Sequence, residues 1–486
     1  MRWTVGEVAG ALDVAPPAGL DPVARLAGVS IDSRTVGRGE LFVAIQGPRH
    51  DGHSFVAAAL ESGALGAVVA RGRMAEFPAQ LRGRLIPVDD TLAALQGLAR
   101  AVRRKWGRKL AGITGSVGKT TTKEILAALL AAQFTVLKSE GNLNNEFGLP
   151  LTLLRLEETH EAAAVELGMS HAGELRRLAG IAQPDVGVVT RVAPVHLEFF
   201  ASVDEIALAK RELIEGLPGS GSVAVLNADD PRVATFARVA PGRVVTFGAS
   251  PTADFRAAEI EDCGDGGTSF DFIFPGGSAR LDLALGGRHN VENALAALAA
   301  ASVWGVGAAE AADVFPRLRP AGMRGQVVHF AAGFTVINDS YNSNPLALDA
   351  MITLLASHTE AHRRILIAGE MLELGSRSAE LHHEAGLRAG ARGNLDWIIG
   401  VQGDAAQLVR GAIEAGQPDA RAEFFADSGD AAKAIASLVA PGDVLLVKGS
   451  RGVKMERIVE ALEARYAVES EPAANSAASP AAGERA

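Results

Sequence analysis

A run of glycine, lysine and threonine near the first quarter of the chain has the composition of a phosphate-binding loop. In order, its residues are Gly115, Ser116, Val117, Gly118, Lys119, Thr120 and Thr121. Glycines let backbone N–H groups come close to phosphate oxygens, and the N-terminus of a following helix adds partial positive charge. Lys119 supplies a cation for β- and γ-phosphates, and the Thr120 hydroxyl is suited to ligate Mg²⁺. The pattern predicts a nucleoside triphosphate site.

The loop departs from the general P-loop pattern, which needs a glycine at position 113, where this chain has Ile113. The motif is therefore the shorter GxxGKT, and a chain with 54 glycines can contain such a string by chance. The apolar run LAGIT precedes the loop, and a helix is predicted from about Lys119 to Gln133. This strand–loop–helix context favours the nucleotide site over a plain glycine-rich turn.

Three side chains after the loop could complete a phosphate site, although each also has a more ordinary explanation. Glu166 ends the run AAVELG, where a P-loop enzyme needs a carboxylate for Mg²⁺, but it could instead cap a helix or lie on the surface. His196 follows the strand-like VGVVT, and a single loop histidine is more often a surface or packing residue. Lys210 lies in IALAKREL on a predicted helix, where a lysine is usually solvated.

Further polar residues occur at the ends of predicted elements. Asn290 and Asn293 open an alanine-rich helix, so they could cap that helix or contact an adenine edge, since amides both donate and accept hydrogen bonds. Arg324, in PAGMRGQ, would by itself be taken as a surface residue. Asp339 ends the run FTVIND, and a carboxylate at a strand end can accept hydrogen bonds from ribose hydroxyls.

These residues need an α/β framework, and a length of 486 residues allows about three domains at roughly 150 residues each. Residues 1–88 form a small α/β region with short strands in VSID, LFVAIQG and GAVVA. Residues 89–319 form the P-loop region, with parallel strands ending in LAGIT, AAVELG, VGVVT, VAVLN and VVTFG. In residues 320–464, the aliphatic runs FTVIND, RILIAGE, WIIGVQG and VLLVKGS alternate with helices. That alternation predicts a doubly wound, Rossmann-like domain with sites at the strand C-terminal ends.

Composition limits the partners and the compartment. The 47 basic and 57 acidic residues give a net charge of −10, which argues against broad nucleic-acid binding. The single cysteine, Cys263, excludes an intrachain disulfide, fits a reducing cytoplasm and is expected to be half-buried. Neither an export signal nor an apolar run long enough for a membrane span is found, so a soluble cytoplasmic protein is expected. Residues 467–486 are of low complexity and are expected to form a disordered tail.

Taken together, these residues resemble the Mur ligases of peptidoglycan synthesis, which are ATP-dependent, amide-forming enzymes. The resemblance covers almost the whole chain apart from the tail, and TGSVGKTT is similar to the ATP loop of that family. It implies two Mg²⁺ ions, one held by Thr120 and Glu166 and the other by His196 and a carbamate of Lys210. The implied catalytic residues are Lys119, Lys210, His196 and Arg324. The implied ATP-binding residues are Gly115, Ser116, Val117, Gly118, Lys119, Thr120, Thr121, Asn290, Asn293, Arg324 and Asp339.

Several strings resemble the last ligase of the series, which joins D-alanyl-D-alanine to UDP-N-acetylmuramoyl-tripeptide through an acyl phosphate. DSYNSNP at 339–345 is similar to its DSYNANP, and EMLELG at 370–375 to its DMxELG, with His382 at the family spacing. GNLNNEFGLP at 141–150 is similar to its substrate loop, although a turn-rich connector would also explain it. The SIDSR and LFVAIQG strings resemble a UDP-sugar domain. The implied substrate-binding residues are Ser33, Arg34, Gly47, Asp51, Asn142, Asn144, Asn145, Tyr341, Asn342 and Asn344.

Two alternatives stay open. The preceding ligase of the series adds the third peptide residue, but the chain shows neither its DNPR-type string nor its DYAH string. A P-loop ATPase acting as a switch would not need His196, Lys210 and Asp339 together with the NLNN loop. We expect a monomer that acts on small-molecule substrates, and the third residue of the accepted peptide is left undetermined.

Overall fold

The computed structural model describes residues 3–47, 50–264 and 267–469. The chain divides into two units. The first comprises Met1–Ala321, Asn344–Ser357 and Leu372–Leu381; the second comprises Gly322–Ser343, His358–Met371 and His382–Ala486.

The first unit begins with a small α/β layer built on a four-stranded, all-parallel sheet in the order β1-β2-β3-β4. The three strands predicted in this region are present as β1, β2 and β3. In chain order the elements are α1 (Val5–Ala11), β1 (Val29–Ser30), β2 (Leu41–Val43), α2 (Val56–Glu61), β3 (Gly66–Ala70), α3 (Ala79–Arg82) and β4 (Leu85–Val88).

Helix α4 (Thr91–Trp106) comes between the small sheet and the phosphate loop, and the sequence patterns had not indicated it. It begins where the Asp90 carboxylate accepts hydrogen bonds from the N–H groups of Leu92 and Ala93. It ends at Gly107, whose φ of 62° breaks the helical path. Its apolar residues recur at helical spacing, so a single face is buried.

The nine-stranded sheet of the first unit has the order β13-β12-β11-β10-β9-β8-β5-β7-β6. The strands from β5 to β11 are parallel, whereas β12 and β13 extend the sheet as antiparallel strands. Its elements are β5 (Lys109–Thr114), α5 (Lys119–Ala131), β6 (Val136–Lys138), α6 (Gly148–Leu154), β7 (Ala162–Glu166), α7 (Glu174–Ala182), β8 (Val186–Val189), α8 (Val203–Glu215), β9 (Val223–Asn227), α9 (Pro231–Ala234), β10 (Arg243–Gly248), β11 (Phe255–Asp262), β12 (Thr268–Phe274), β13 (Gly277–Leu283), α10 (Arg288–Ser302) and α11 (Ala308–Val314).

The order of the central strands determines where the polar residues meet. β5 lies between β7 and β8, with Ile113 opposite Glu166 and Thr114 opposite Val189. The parallel strands therefore end at one edge, where the loop after β5 is flanked by the ends of β7 and β8. Separate apolar cores cover the two faces of the sheet, which explains why the strands read as continuous apolar runs.

The second unit contains a six-stranded sheet in the order β14-β15-β19-β16-β17-β18. All neighbouring strands are parallel except β14 and β15. The four strands predicted for this region are present as β15, β16, β17 and β19. The elements from β14 onward, of which α12 and the start of α13 group with the first unit, are β14 (Gln326–Phe330), β15 (Phe334–Asp339), α12 (Pro345–Ser357), β16 (Arg363–Gly369), α13 (Ser378–Ala391), β17 (Trp397–Val401), α14 (Ala405–Glu414), β18 (Ala422–Phe425), α15 (Ser428–Leu438), β19 (Asp443–Lys448) and α16 (Glu456–Arg465).

Three expectations from composition can be compared with this structure. Cys263 is exposed rather than half-buried, because it lies in the turn between β11 and β12. The start of the expected tail is ordered, since Ala331 N donates to Ala467 O and Glu469 N donates to His329 O; residues 470–486 lie outside the described residues. Within the described ranges, no helix is long and apolar enough to cross a bilayer.

Candidate active site

The phosphate loop has a backbone that only glycine tolerates at two positions. Gly115 has a φ of 152° and Gly118 has a φ of 83°. A Cβ at Gly115 would lie 1.9 Å from Thr190 Oγ1, and a Cβ at Gly118 would lie 2.2 Å from Asn293 Oδ1. Both conformation and close packing therefore require glycine, which supports the functional reading of the motif over a chance match.

The loop is held by the segment that follows β8. Ser116 N donates to Arg191 O at 2.7 Å, and Ser116 Oγ exchanges hydrogen bonds with the backbone of Ala193 at 2.9 and 3.1 Å. Thr190 Oγ1 donates to Val117 O at 2.6 Å. These bonds fix the loop before any ligand binds, so little ordering is required on binding.

Helix α5 starts at the loop and presents its N-terminus there. Gly118 is the residue before the helix, and no side chain caps the first turn. The N–H groups of that turn, which includes Thr121, are thus available to an anion. Lys119 Nζ donates to Gly115 O at 2.9 Å, which folds the ammonium over the loop. The arrangement is an anion cradle of the kind that the motif predicts.

Thr120 and Glu166 meet although they are far apart in sequence. Thr120 Oγ1 donates to Glu166 Oε2 at 2.8 Å, and both side chains are buried. Asn144 Nδ2 donates to the other carboxylate oxygen at 2.9 Å. A hydroxyl and one carboxylate beside a phosphate cradle are the donor set that suits Mg²⁺, which keeps water and phosphate oxygens as its other ligands. The two predicted residues therefore fit a Mg²⁺ ion.

Lys210 is buried inside α8 rather than solvated, with 2 % of its surface exposed. Burial, together with the nearby positive charge of Lys119, lowers the pKa of Lys210 well below its usual value. No carboxylate among the described residues forms an ion pair with it. Burial therefore favours the neutral, nucleophilic form of the amine.

His196 lies in the loop after β8, and its φ of 57° is unusual for a residue other than glycine. Its Nδ1 lies 2.5 Å from Glu373 Oε2. The hydrogen bond from His196 lowers the pKa of Glu373. Sequence reasoning noted the ELG string that contains Glu373 but gave this carboxylate no role.

Asn290 lies in the first turn of α10, and Asn293 lies in the second turn, beside the loop. Asn293 Oδ1 accepts from Thr122 Oγ1 at 3.4 Å, and Asn293 Nδ2 donates to Asn290 Oδ1 at 3.2 Å. Asn290 Nδ2 donates in turn to Gly286 O at 2.8 Å. Both amides are thus ordered, with Asn293 next to Gly118, and the helix-cap explanation does not account for their side-chain contacts.

The three asparagines of the NLNN segment have different surroundings. Asn144 donates a hydrogen bond to the Glu166 carboxylate. Asn145 Oδ1 accepts from Phe147 N and Gly148 N at 3.3 and 2.9 Å, so it caps the start of α6. Asn142 is exposed, and its carbonyl accepts from Asn144 N at 2.8 Å. The alternative of a structural turn thus holds for Asn145, while Asn142 stays available for a ligand.

Two of the residues predicted to bind the UDP-sugar lie in the turn after β1. Arg34 forms an ion pair with Asp32 at 2.6 Å, and its side chain is 85 % exposed. Ser33 occupies the same turn. Contacts among the described residues do not link either side chain to the phosphate loop, so their substrate role stays a prediction.

Asp51 and Gly47, predicted to bind the same substrate, take part in local structure after β2. Asp51 accepts hydrogen bonds from the backbone and the Nδ1 of His53 and from Arg73. Burial alone would raise the pKa of Asp51, but these hydrogen bonds outweigh it and lower the pKa to about 2. Gly47 N donates to His50 O at 2.9 Å. The Asp51 carboxylate is therefore largely occupied by protein partners.

In the second unit, Asp339 pairs with a lysine that the sequence did not single out. Lys448 Nζ lies 2.5 Å from Asp339 Oδ2 and donates to Asn342 O at 2.9 Å. The two charged residues face each other at the ends of neighbouring strands β15 and β19. Lys448 ends the run VLLVKGS, and its place at a strand end was the available signal. In the first unit, Asn344 Oδ1 accepts from Ala347 N at 3.0 Å and caps α12.

The predicted Arg324 lies over an aromatic ring of the second unit. Its guanidinium carbon is 4.1 Å from the centroid of Tyr341, and that of Arg451 is 5.9 Å from the same centroid. Arg451 also forms an ion pair with Glu456 at 3.2 Å. The predicted residues Arg324 and Tyr341 are therefore in contact. Arg451, which follows β19 in KGSRG, also lies near the ring and was not predicted.

Three family models match the chain in order. The model described as Mur ligase family, catalytic domain, matches residues 25–103; Mur ligase middle domain matches 113–301; and Mur ligase, glutamate ligase domain, matches 323–451. The chain belongs to the Mur ligase family. The predicted α/β fold class, with a P-loop centre and a Rossmann-like C-terminal part, is confirmed.

Curated relatives that match nearly the whole chain carry the name of one particular ligase. UDP-N-acetylmuramoyl-tripeptide--D-alanyl-D-alanine ligase of Bacillus subtilis is 35% identical over 435 residues, which cover 90% of this chain and 93% of the relative. The crystal structure of MurF from Acinetobacter baumannii has a TM-score of 0.84 at 30% identity, covering 95% of this chain and 99% of its own. That of MurF ligase from Thermotoga maritima in complex with ADP has a TM-score of 0.78 at 30% identity, covering 90% and 97%.

Proposed function

We propose that this chain joins D-alanyl-D-alanine to UDP-N-acetylmuramoyl-tripeptide at the expense of ATP, making UDP-N-acetylmuramoyl-pentapeptide for peptidoglycan. The observation that carries the proposal is the anion cradle with its Thr120–Glu166 pair, in a chain 35% identical to such a ligase over 90% of its length. The DSYNSNP string agrees with it.

The reaction brings anions together, so electrostatic stabilisation is the main requirement on the protein. The terminal carboxylate of the tripeptide attacks the γ-phosphorus of ATP, which forms an acyl phosphate and releases ADP. The amine of the dipeptide then attacks the acyl carbon, and phosphate leaves as the amide forms. The N–H groups of α5 and the ammonium of Lys119 would hold the phosphates in line for the first step.

Thr120 and Glu166 would hold one Mg²⁺, and His196 with a modified Lys210 would hold a second. When bound, Mg²⁺ neutralises phosphate charge that develops during transfer. The buried Lys210 supports the proposed modification, because only a neutral amine adds CO₂ to give a carbamate. Carbamylation would turn the buried amine into an anion that can act as a ligand.

The remaining substrates are assigned by region. We propose that residues 1–88 bind the UDP-sugar, 89–319 bind ATP, and 320–464 bind the dipeptide and part of ATP. Arg324 and Asp339 would contact the ATP phosphates and ribose, and Asn290 and Asn293 the adenine. The proposal includes a monomer in the cytoplasm, and the free thiol of Cys263 suits a reducing compartment.

The deciding experiment is mass analysis of the product. The protein is incubated with ATP, D-alanyl-D-alanine and UDP-N-acetylmuramoyl-tripeptides that end in lysine or in meso-diaminopimelate. The proposal predicts a nucleotide product heavier by the dipeptide minus one water, with ADP formed in equal amount. In a parallel reaction, the protein is given ATP, UDP-N-acetylmuramoyl-dipeptide and a free diamino acid. A product in this reaction alone would indicate the preceding ligase. Phosphate release that is independent of both substrates would indicate a switch ATPase.

The role of the loop is tested with Lys119→Ala. Because the ammonium donates to the loop backbone at Gly115 O, where it would meet the phosphates, its removal should lower kcat by about 10²–10³-fold or more, and the Tm of the variant checks that the protein still folds. Lys433→Ala is the matched control, since Lys433 is 82% exposed and its ammonium donates to Asp430 on α15. A folded Lys119→Ala protein with full ligase activity would contradict the assignment.

A further inference from the structure

A short segment between β16 and α13 forms a dense contact with the His196 loop. Glu373 Oε2 lies 2.5 Å from His196 Nδ1, and Glu198 N donates to Glu373 O at 3.3 Å. Two residues on, a Cβ at Gly375 would lie 3.0 Å from Leu197 O. Side-chain, backbone and packing contacts therefore all place Glu373 against the histidine.

The backbone at both partners is strained in the same way. His196 has a φ of 57° and Glu373 a φ of 64°, in the left-handed region that costs a residue with a Cβ about 1–2 kcal/mol. Such conformations persist only where surrounding contacts hold the backbone in place, and they concentrate at functional sites. A pair that is merely a surface ion pair would contribute about 0–1 kcal/mol and would not by itself require two strained residues.

The hydrogen bond also determines which nitrogen of the ring is available. When Nδ1–H donates to the carboxylate, the neutral ring carries its lone pair on Nε2. Nε2 makes no hydrogen bond to any residue that the structure describes, and the His196 side chain is 23% exposed. A ring with one nitrogen held by a carboxylate and the other open has the arrangement of a metal-binding histidine.

We propose that Glu373 is a positioning residue for the ligase reaction. It holds His196 as the Nδ1–H tautomer and so leaves Nε2 free to bind the second Mg²⁺, which His196 would hold together with Lys210. The inference rests on the proposed function, which gives His196 its metal-facing role. Outer carboxylates of this kind typically change metal affinity by about 10–100-fold when they are removed.

The test uses Mn²⁺ as a spectroscopic probe on the full-length protein with ADP bound. Mn²⁺ affinity is measured by electron paramagnetic resonance for wild type, Glu373→Gln, Glu373→Ala and His196→Ala. Glu373→Ala should weaken a His196-dependent Mn²⁺ site by about 10–100-fold, and Glu373→Gln should weaken it less because an amide oxygen can still accept from Nδ1. Glu198→Gln is the control, since it removes one negative charge from an exposed side chain two residues after His196.

The tautomer gives a second readout that needs no metal. In protein labelled with ¹⁵N-histidine, the His196 resonances of wild type should show protonated Nδ1 and unprotonated Nε2, and Glu373→Ala should show a mixture. Wild-type Mn²⁺ affinity and an unchanged tautomer in folded Glu373→Ala would overturn the proposal and leave only a structural contact. Loss of Mn²⁺ binding in Glu198→Gln to the same extent would also overturn it. Failure of wild type to form the pentapeptide would instead refute the ligase assignment.

Discussion

Replacing Lys448 by Met should strongly destabilise the second unit. Lys448 is 3% exposed and Asp339 is 14% exposed, so the substitution leaves a buried carboxylate without its partner. It also removes the donor to Asn342 O. Breaking a buried pair from one side costs about 3–5 kcal/mol. At about 4 °C per kcal/mol for a unit of this size, Tm should fall by roughly 12–20 °C.

A thermodynamic cycle separates the stability of the pair from its chemistry. Asp339→Asn combined with Lys448→Met leaves no buried charge, so the double variant should be about 1–3 kcal/mol more stable than the sum of the single changes predicts. If Asp339 also contacts the ribose, the double variant should regain stability without regaining ATP affinity. Calorimetry and binding of a fluorescent ATP analogue measure the two quantities.

An exposed lysine of the same unit provides the control for Lys448→Met. Lys433→Met removes an exposed lysine of the same unit and should shift Tm by no more than about 2 °C. A Lys448→Met protein within about 1 kcal/mol of wild type, or a cycle without coupling, would show that the ion pair does not stabilise this sheet edge.

Two further changes test local features of the first unit. Gly115→Ala should destabilise the unit by about 2–4 kcal/mol in urea unfolding and abolish ATP binding, because the new Cβ displaces Thr190 Oγ1 and the φ of 152° suits only glycine. Adding Thr190→Ala should relieve the clash but not the backbone strain. A Gly115→Ala protein as stable as wild type would refute the strain. In wild type, the Asp51 carboxylate contributes to the free energy of unfolding above pH ~4, and this contribution is lost as the pH falls from ~4 toward 2, because the folded pKa of about 2 lies below the unfolded value of 3.8. Asp51→Asn should remove this contribution. The free energies of unfolding of wild type and Asp51→Asn should therefore converge in acid, and a difference that stays constant with pH would contradict this account.

Several elements could be predicted because their cause is local. The strands of the third region are short aliphatic runs that end in Gly, Asp or Asn, and they appear as β15, β16, β17 and β19. Helix α4 and the antiparallel strands β12 and β13 were not predicted. The strands β12 and β13 acquire their place only by pairing with each other and with β11, which no single segment encodes.

In the candidate site, too, the features with a local cause were predictable and the contacts between distant segments were not. The loop of residues 115–121 is one continuous segment, so residue types and spacing were enough to predict an anion cradle and its glycines. Partners from distant segments were not predictable in this way. Glu373 lies 177 residues from His196, and Lys448 lies 109 residues from Asp339. Only folding brings these side chains together.

The sequence by itself determined the class of this protein, since a phosphate loop and the strings around it are local patterns that survive without their surroundings. The tertiary structure decided the state of each side chain. It buried Lys210 and lowered the pKa of its amine, it joined Thr120 to Glu166, and it committed Asp51 and Asn145 largely to structural partners. Burial and the neighbouring charges set ionisation and hydrogen bonding, and both depend on elements that are remote in sequence.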